Sequence, residues 1–162
     1  MKKSKLLPLI FLLFSVFSIL SSSAAKADDE VNRAKNTFFS GDIEYEISIP
    51  ASAKKAGQVT VIGAKDKNIK AISIPEEVKN SSYTYTVTKI ADSAFMGYTK
   101  LAKISIPSSI TSLGDSVFVN CDSLEYIAIP DSITSIGSRL FQSCDSLKSV
   151  KLSMNLEQIP DY

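Results

Sequence analysis

The sequence predicts a mainly β protein. It is expected to be a solenoid of coils about 23 residues long, with short helical or 3₁₀ turns, a parallel sheet on one face and an N-terminal β-hairpin cap. Phenylalanines recur at an interval of 23 residues, at Phe95, Phe118 and Phe141. Short segments that alternate apolar and variable positions keep the same interval. The region upstream also alternates but has a different period, as a separate hairpin would.

The first 27 residues have the pattern of a secretory signal peptide. A basic start with three lysines precedes an apolar run at 6–20, and a small-residue cleavage site ends at Ala27. This run of 15 residues is shorter than the roughly 20 that a membrane-spanning helix needs, so a signal peptide is preferred to a transmembrane anchor. We predict cleavage between Ala27 and Asp28, a flexible leader at 28–37, and a secreted or cell-surface location in a bacterium.

Composition argues against several functions. The formal net charge is +1, but removing residues 1–27 takes away four lysines and no acid, which leaves 14 basic and 17 acidic side chains and a charge of −3. A weakly acidic protein without a basic cluster has no general attraction to nucleic acid, and no later apolar segment is long enough to span a membrane. The chain has no histidine, the commonest general base and metal ligand, so we predict no enzyme, no cofactor and no metal site.

The repeat places one short strand in each coil. The segments LAKISI, LEYIAI and LKSVKL alternate as strands with one buried face do, and a period of 23 lies in the range of leucine-rich repeats. Pro107 and Pro130 end two strands, while Gly114 and Gly137 lie where the chain turns. The segments DSAF, DSVF and SRLF predict a single short helical or 3₁₀ turn on the opposite side. The apolar columns are Leu101/Leu124/Leu147, Ile104/Ile127/Val150, Ile106/Ile129/Leu152, Ile110/Ile133/Leu156 and Ile90/Leu113/Ile136/Ile159.

The solenoid extends upstream with one interruption. Its first strand belongs to the segment IKAISIP, which begins at Ile69, but the next strand follows nine residues later than the period requires. The extra residues indicate an insertion at 79–89, either an added β-ribbon or an extended loop. The repeat solenoid then spans 69–162 with an incomplete last repeat, and 38–68 forms the N-terminal β cap that shields the first coil.

The unit F-x-x-C-x-x-L-x-x-I-x-I-P-x-S-I-T-x-I-G resembles the BspA-like leucine-rich repeats of bacterial surface proteins. The resemblance covers about Ile69 to Tyr162, and the upstream FFSGDIEYEISIP is similar to the start of such domains. It implies a curved solenoid with a role in adhesion, through binding of host matrix or plasma proteins or contacts between bacteria. It implies no catalytic residue. Val117 and Leu140 stand where the family usually has alanine, which alters packing more than function.

The exposed face of the parallel sheet is the usual binding surface of a repeat solenoid. Tyr126 is the only large side chain that we predict on it, and the neighbouring positions are Lys103, Ser105, Ser149 and Lys151. A ring among lysines and small residues suits protein recognition, although a merely solvated face would have the same pattern.

Two further pairs of residues are candidates. Tyr83 and Tyr85 in the insertion are a second ligand-binding candidate, although one ring could instead pack on the first coil. Cys121 and Cys144 lie one repeat apart, near enough for a disulfide in a secreted protein. Stacked side chains point the same way, however, so free thiols that pack as small hydrophobes are the preferred interpretation.

These features favour a non-enzymatic adhesin-like module whose partner is a host matrix protein, a bacterial surface protein or a glycan. One alternative is a structural spacer segment of a larger surface protein, with no ligand of its own. Another is a secreted glycan-binding or glycan-processing protein, for which the scattered turn aspartates show no paired site. Apolar positions Leu152, Leu156 and Ile159 of the incomplete last coil predict self-association, a continuation of the chain or a partner.

Overall fold

The computed structural model describes residues 36–160. The predicted signal peptide, its cleavage site at Ala27 and Asp28, and nearly all of the predicted leader lie outside the described residues. Eleven strands joined by turns make up the described part. Within it, no helix is long and apolar enough to cross a membrane. The strands are β1 (Thr37–Ser40), β2 (Ile43–Ile49), β3 (Gly57–Ala64), β4 (Ala71–Ser73), β5 (Glu77–Asn80), β6 (Tyr83–Ile90), β7 (Lys103–Ser105), β8 (Ser112–Leu113), β9 (Tyr126–Ala128), β10 (Ser135–Ile136) and β11 (Ser149–Lys151).

The coils stack through parallel ladders on two sides. On the first side β4 pairs with β7 and β9 pairs with β11, all parallel and in the predicted register. On the second side β6, β8 and β10 form a parallel ladder. The first side is therefore divided into two ladders of two strands, and is not the single continuous ladder that the repeat predicts. Between these ladders the coils are joined at the preceding turn, where the Ser123 hydroxyl donates to the Thr99 carbonyl over 2.7 Å.

The third side of each coil consists of turns. They contain the i to i+3 hydrogen bonds of a single 3₁₀ turn, such as Met96 N–H to the Ser93 carbonyl at 3.0 Å. In these turns the helical backbone does not continue, because residues in the left-handed region interrupt it and direct alternate N–H groups to the next coil. These residues recur at the repeat period in two columns, Ser93/Ser116/Arg139 with φ of 56, 57 and 56° and Gly97/Asn120/Ser143 with φ of 77, 58 and 56°.

The rings of the recurring phenylalanines fill the interior of the coils, as predicted. Phe95 and Phe118 stack with their centroids 5.9 Å apart, and Phe118 and Phe141 with theirs 5.7 Å apart. The two interplanar angles, 10° and 4°, show that one coil repeats the previous one almost unchanged. The apolar strand columns pack around this stack in one contiguous core.

A polar ladder and a close backbone approach set the spacing where the chain turns. Asp92 Oδ1 accepts the backbone N–H of Asp115 at 2.9 Å, and Asp115 Oδ1 accepts that of Ser138 at 2.7 Å. Beside this ladder a Cβ on Gly137 would lie 2.5 Å from the Asp115 nitrogen. Glycine is needed at this position because the coils approach too closely for any side chain.

The N-terminal cap is built on the β2–β3 hairpin that the sequence predicts. β1, β2 and β3 pair in antiparallel order, and β3 then pairs in parallel with β6, so that cap and solenoid share one sheet. Val61 of β3 lies opposite Ile90 and so begins the column that continues through Leu113 and Ile136. The predicted insertion is a β-ribbon, in which β5 pairs antiparallel with the first half of β6.

Candidate functional site

The outward-facing residues of β4, β7, β9 and β11 form a regular surface, here called the strand face. The middle residue of each strand, such as Ile72 or Ile127, is directed into the core, and its two neighbours are directed outward. The small residues Ala71, Ser73 and Ala128 lie beside the predicted candidates on this face. The strand face consists of Ala71, Ser73, Lys103, Ser105, Tyr126, Ala128, Ser149 and Lys151.

Tyr126 is the dominant side chain of the strand face. Its side chain is 52% exposed, and it lies directly opposite Ser149 on the next strand. Lys103 occupies the same column one coil earlier, and Lys151 lies opposite Ala128. The structure therefore brings the predicted lysines, serines and tyrosine onto one exposed surface. An amphipathic ring with ammonium and hydroxyl groups beside it can pack against a partner and donate hydrogen bonds to it.

An ion pair beside the strand face escaped the sequence interpretation. The Nζ of Lys148 and Oε2 of Glu125 lie 3.0 Å apart, on the residues that precede Ser149 and Tyr126. The signal that could have revealed it is the repeat itself, since opposite charges one period apart must be neighbours. Both side chains are well exposed, so the pair contributes only about 0 to 1 kcal/mol to stability.

The two tyrosines of the insertion are in different environments. Tyr83 is 44% exposed, whereas Tyr85 is only 5% exposed. The Tyr85 ring lies 5.9 Å from the ring of Phe38, inside the cap. Tyr85 is therefore not accessible to a ligand, because it packs against Phe38 of the cap and lies opposite Val78 in the ribbon. Tyr83 alone stays a candidate, because it is the exposed ring of the two at the start of β6.

Cys121 and Cys144 are free thiols in this structure. Each Sγ donates to a carbonyl of the preceding coil, Cys121 to Phe95 at 3.3 Å and Cys144 to Phe118 at 3.0 Å. Burial raises the pKa of the Cys121 thiol to about 12 and also raises the pKa of Cys144. Both residues thus join neighbouring coils as neutral thiols, and a thiol with a raised pKa is a poor nucleophile.

The turn aspartates accept backbone hydrogen bonds from the next coil. Besides the ladder through Asp92 and Asp115, Asp131 Oδ1 accepts the Met154 N–H at 2.9 Å. Among the described residues, no three Cys, Asp or Glu side chains converge as metal ligands would. The geometry thus gives these carboxylates a role in joining coils.

The last described coil carries an apolar surface. Leu152 and Ile159 are exposed large hydrophobic residues there, as their columns predict, while Leu156 is partly buried against the core. Leu152 and Ile159 line an apolar cavity of about 170 Å³, together with Phe141 and Val150.

The repeat geometry and a comparison with known families agree. The family model described as BspA type leucine rich repeat region, with six copies, matches residues 65–162, more than half of the chain. The chain belongs to the BspA-type leucine-rich-repeat family. This confirms the resemblance on which the sequence interpretation relied. No significant match was found among curated proteins.

Solved structures of bacterial proteins are similar to this chain. The pneumococcal vaccine antigen PcpA matches with a TM-score of 0.56 and 19% identity, over 75% of this chain and 39% of the antigen. A leucine-rich repeat protein from Bacteroides capillosus matches with a TM-score of 0.52 and 19% identity, over 72% of this chain and 98% of its own. At this identity the similarity establishes the shared fold. The chain is a BspA-type repeat module, and such modules generally bind proteins.

Proposed function

We propose that this BspA-type module is a secreted or cell-surface recognition protein that acts without catalysis. Its partner would be a protein of the host matrix or of another cell surface, bound through the strand face. The observation that carries the proposal is the exposure of Tyr126 on a regular surface whose other members are lysines or small residues. Aromatic anchors with small neighbours are frequent at the energetic centres of protein interfaces.

The surrounding charges suit association with a protein. Lys103 and Lys151 are exposed on the strands beside Tyr126. Charges at the rim of an interface raise the association rate more than they raise the affinity. The core residues below are held by parallel pairing, so the strand face needs no rearrangement before it binds. A preformed surface of this kind keeps the entropic penalty of binding small.

A capture experiment tests the proposal. The purified chain and its Tyr126→Ala variant are tested for binding to immobilised fibronectin, fibrinogen, collagen and laminin and to intact bacterial cells, with Met96→Ala as the matched control. Met96 is 44% exposed, close to the 52% of Tyr126, but lies on the turn side of the coil. We expect one of the matrix proteins to capture wild type and Met96→Ala equally, and Tyr126→Ala at least about tenfold more weakly.

Two results would count against the proposal. Equal capture of Tyr126→Ala and wild type would show that the strand face is not centred on the tyrosine. Failure of every matrix protein and of intact bacterial surfaces to bind wild type would favour the spacer function, in which the coils only separate other domains.

A further inference from the structure

A loop of the cap and the tip of the inserted β-ribbon line an open concavity that the strand face does not include. It is lined by the β2–β3 loop at 52–56, by Ser82 of the β5–β6 turn and by Tyr83 and Thr84 at the start of β6. Its volume is about 490 Å³, within the roughly 300 to 1,000 Å³ of small-molecule sites. We refer to it as the two-turn pocket.

The backbone of both turns is fixed without any ligand. In the loop, Ser52 N–H donates to the Lys55 carbonyl at 2.9 Å, and Lys55 N–H donates back at 3.3 Å. Gly57 then packs so tightly that a Cβ there would lie 2.5 Å from the Ile49 carbonyl oxygen. In the ribbon, Asn80 pairs with Tyr83, and Ser81 takes a φ of 55° to close the turn. The two-turn pocket is therefore preformed, which favours binding.

The lining combines positive charge, hydroxyl groups and one aromatic ring. Lys54 and Lys55 contribute two ammonium groups, neither of which forms an ion pair with any residue between 36 and 160. Tyr83 adds a half-exposed ring. The remaining polar lining residues are Ser52, Ser82 and Thr84. Within the described part of the chain no carboxylate lines the pocket, so its field favours an anion.

We propose that the two-turn pocket binds an acidic saccharide, a sugar unit that bears a carboxylate or a sulfate group. The flat ring of Tyr83 can stack on the C–H face of a pyranose, and the hydroxyls can exchange hydrogen bonds with the hydroxyls of the sugar. Lys54 and Lys55 bind the anionic group. An acidic peptide would use the lysines but would have no flat face to match the ring. This site is separate from the strand face and does not depend on it.

Isothermal titration calorimetry, in which each probe is titrated into the purified chain, tests the proposal. The probes are a hyaluronan hexasaccharide, which carries only carboxylates, a fully sulfated neutral-sugar hexasaccharide, neutral maltohexaose and hexaglutamate. We expect one or both acidic saccharides to bind and maltohexaose not to bind. Which acidic saccharide binds identifies the anionic group. Added salt should weaken the binding, because the lysines are exposed.

Variants connect the binding to the pocket. The double substitution Lys54→Gln with Lys55→Gln should weaken binding by about tenfold or more, whereas Lys67→Gln with Lys70→Gln, the same charge change at exposed lysines elsewhere, should leave it unchanged. Tyr83→Ala should also weaken it. Tyr126→Ala should have no effect, so failure of the strand-face proposal can be told apart from failure of this one.

Three results would overturn the inference. No binding of either acidic saccharide at millimolar concentration would remove the ligand. If the Lys54 and Lys55 substitutions leave the binding unchanged, the saccharide binds outside the two-turn pocket. Hexaglutamate binding as tightly as the saccharides, with no effect of Tyr83→Ala, would identify the pocket as an acidic-peptide site. Every substituted side chain is exposed, and unchanged circular dichroism spectra will show that the variants are folded.

Discussion

Tyr98 joins the cap to the solenoid, and removal of one oxygen atom tests that junction. Its hydroxyl accepts the Ala64 N–H at 2.9 Å and donates to the Ala64 carbonyl at 3.0 Å. Tyr98→Phe keeps the ring on Phe95 but leaves both backbone groups without this partner. An unpaired buried polar group costs about 1 to 3 kcal/mol, and Ala64 is only partly buried, so water can replace some of the loss. We expect a destabilisation of about 2 to 3 kcal/mol in total.

Urea unfolding followed by circular dichroism measures this effect, with Tyr83→Phe as the matched control. Tyr83 is exposed, so its variant should remain within about 0.5 kcal/mol of wild type. Hydrogen exchange at the Ala64 amide should become faster in Tyr98→Phe alone. A Tyr98→Phe variant as stable as the control, with unchanged exchange at Ala64, would refute the view that this hydroxyl joins cap and coils.

Three further predictions concern the coils. Phe118→Ala should lower the free energy of unfolding in urea by about 3 to 5 kcal/mol and Phe141→Ala by clearly less, because Phe118 is fully buried between two rings whereas Phe141 is partly exposed beside one. Equal losses of stability in the two variants would contradict this. Asn120 has a φ of 58°, so Asn120→Val should lower the free energy of unfolding by about 1 to 2 kcal/mol, whereas Asn120→Gly should leave it unchanged. Similar melting temperatures for the two variants would argue against backbone strain at this position. Burial raises the pKa of Cys121 from 9.0 to about 12, so the thiol of the folded chain should react slowly with Ellman's reagent at pH 8. Stability should fall as the pH rises from about 9 towards 12, because the unfolded chain loses this proton first; fast labelling of the folded chain would contradict the prediction.

The repeat period alone predicts most of the solenoid. When one coil is stacked on another at a fixed interval, residues one interval apart must be neighbours, so the sequence is sufficient to place Phe95, Phe118 and Phe141 in one stack. The same reasoning gives the parallel register of Ile127 with Val150. Contacts between coils follow from the sequence because the geometry repeats.

Contacts outside the period could not be predicted in this way. Val61 precedes Ile90 by 29 residues, so its place at the head of a repeat column depends on how the cap folds back. The two-turn pocket has the same origin, since 52–56 and 82–84 meet only because β3 pairs with β6. The sequence did carry one hint of the junction, a tyrosine at position 98 where later coils have Cys121 and Cys144.

Stacking also limits where recognition can occur. The buried columns, the turn aspartates and the cysteine thiols are all used to join neighbouring coils, so a change at any of them alters the fold as well as a ligand site. A ligand must therefore be recognised by side chains that stacking leaves free, which are the outward strand positions and the non-periodic turns. Tyr126 on the strand face and Tyr83 beside the β5–β6 turn are exposed rings in these two settings. Because neither ring takes part in stacking, their loss should remove binding at one site while stability and binding at the other are retained.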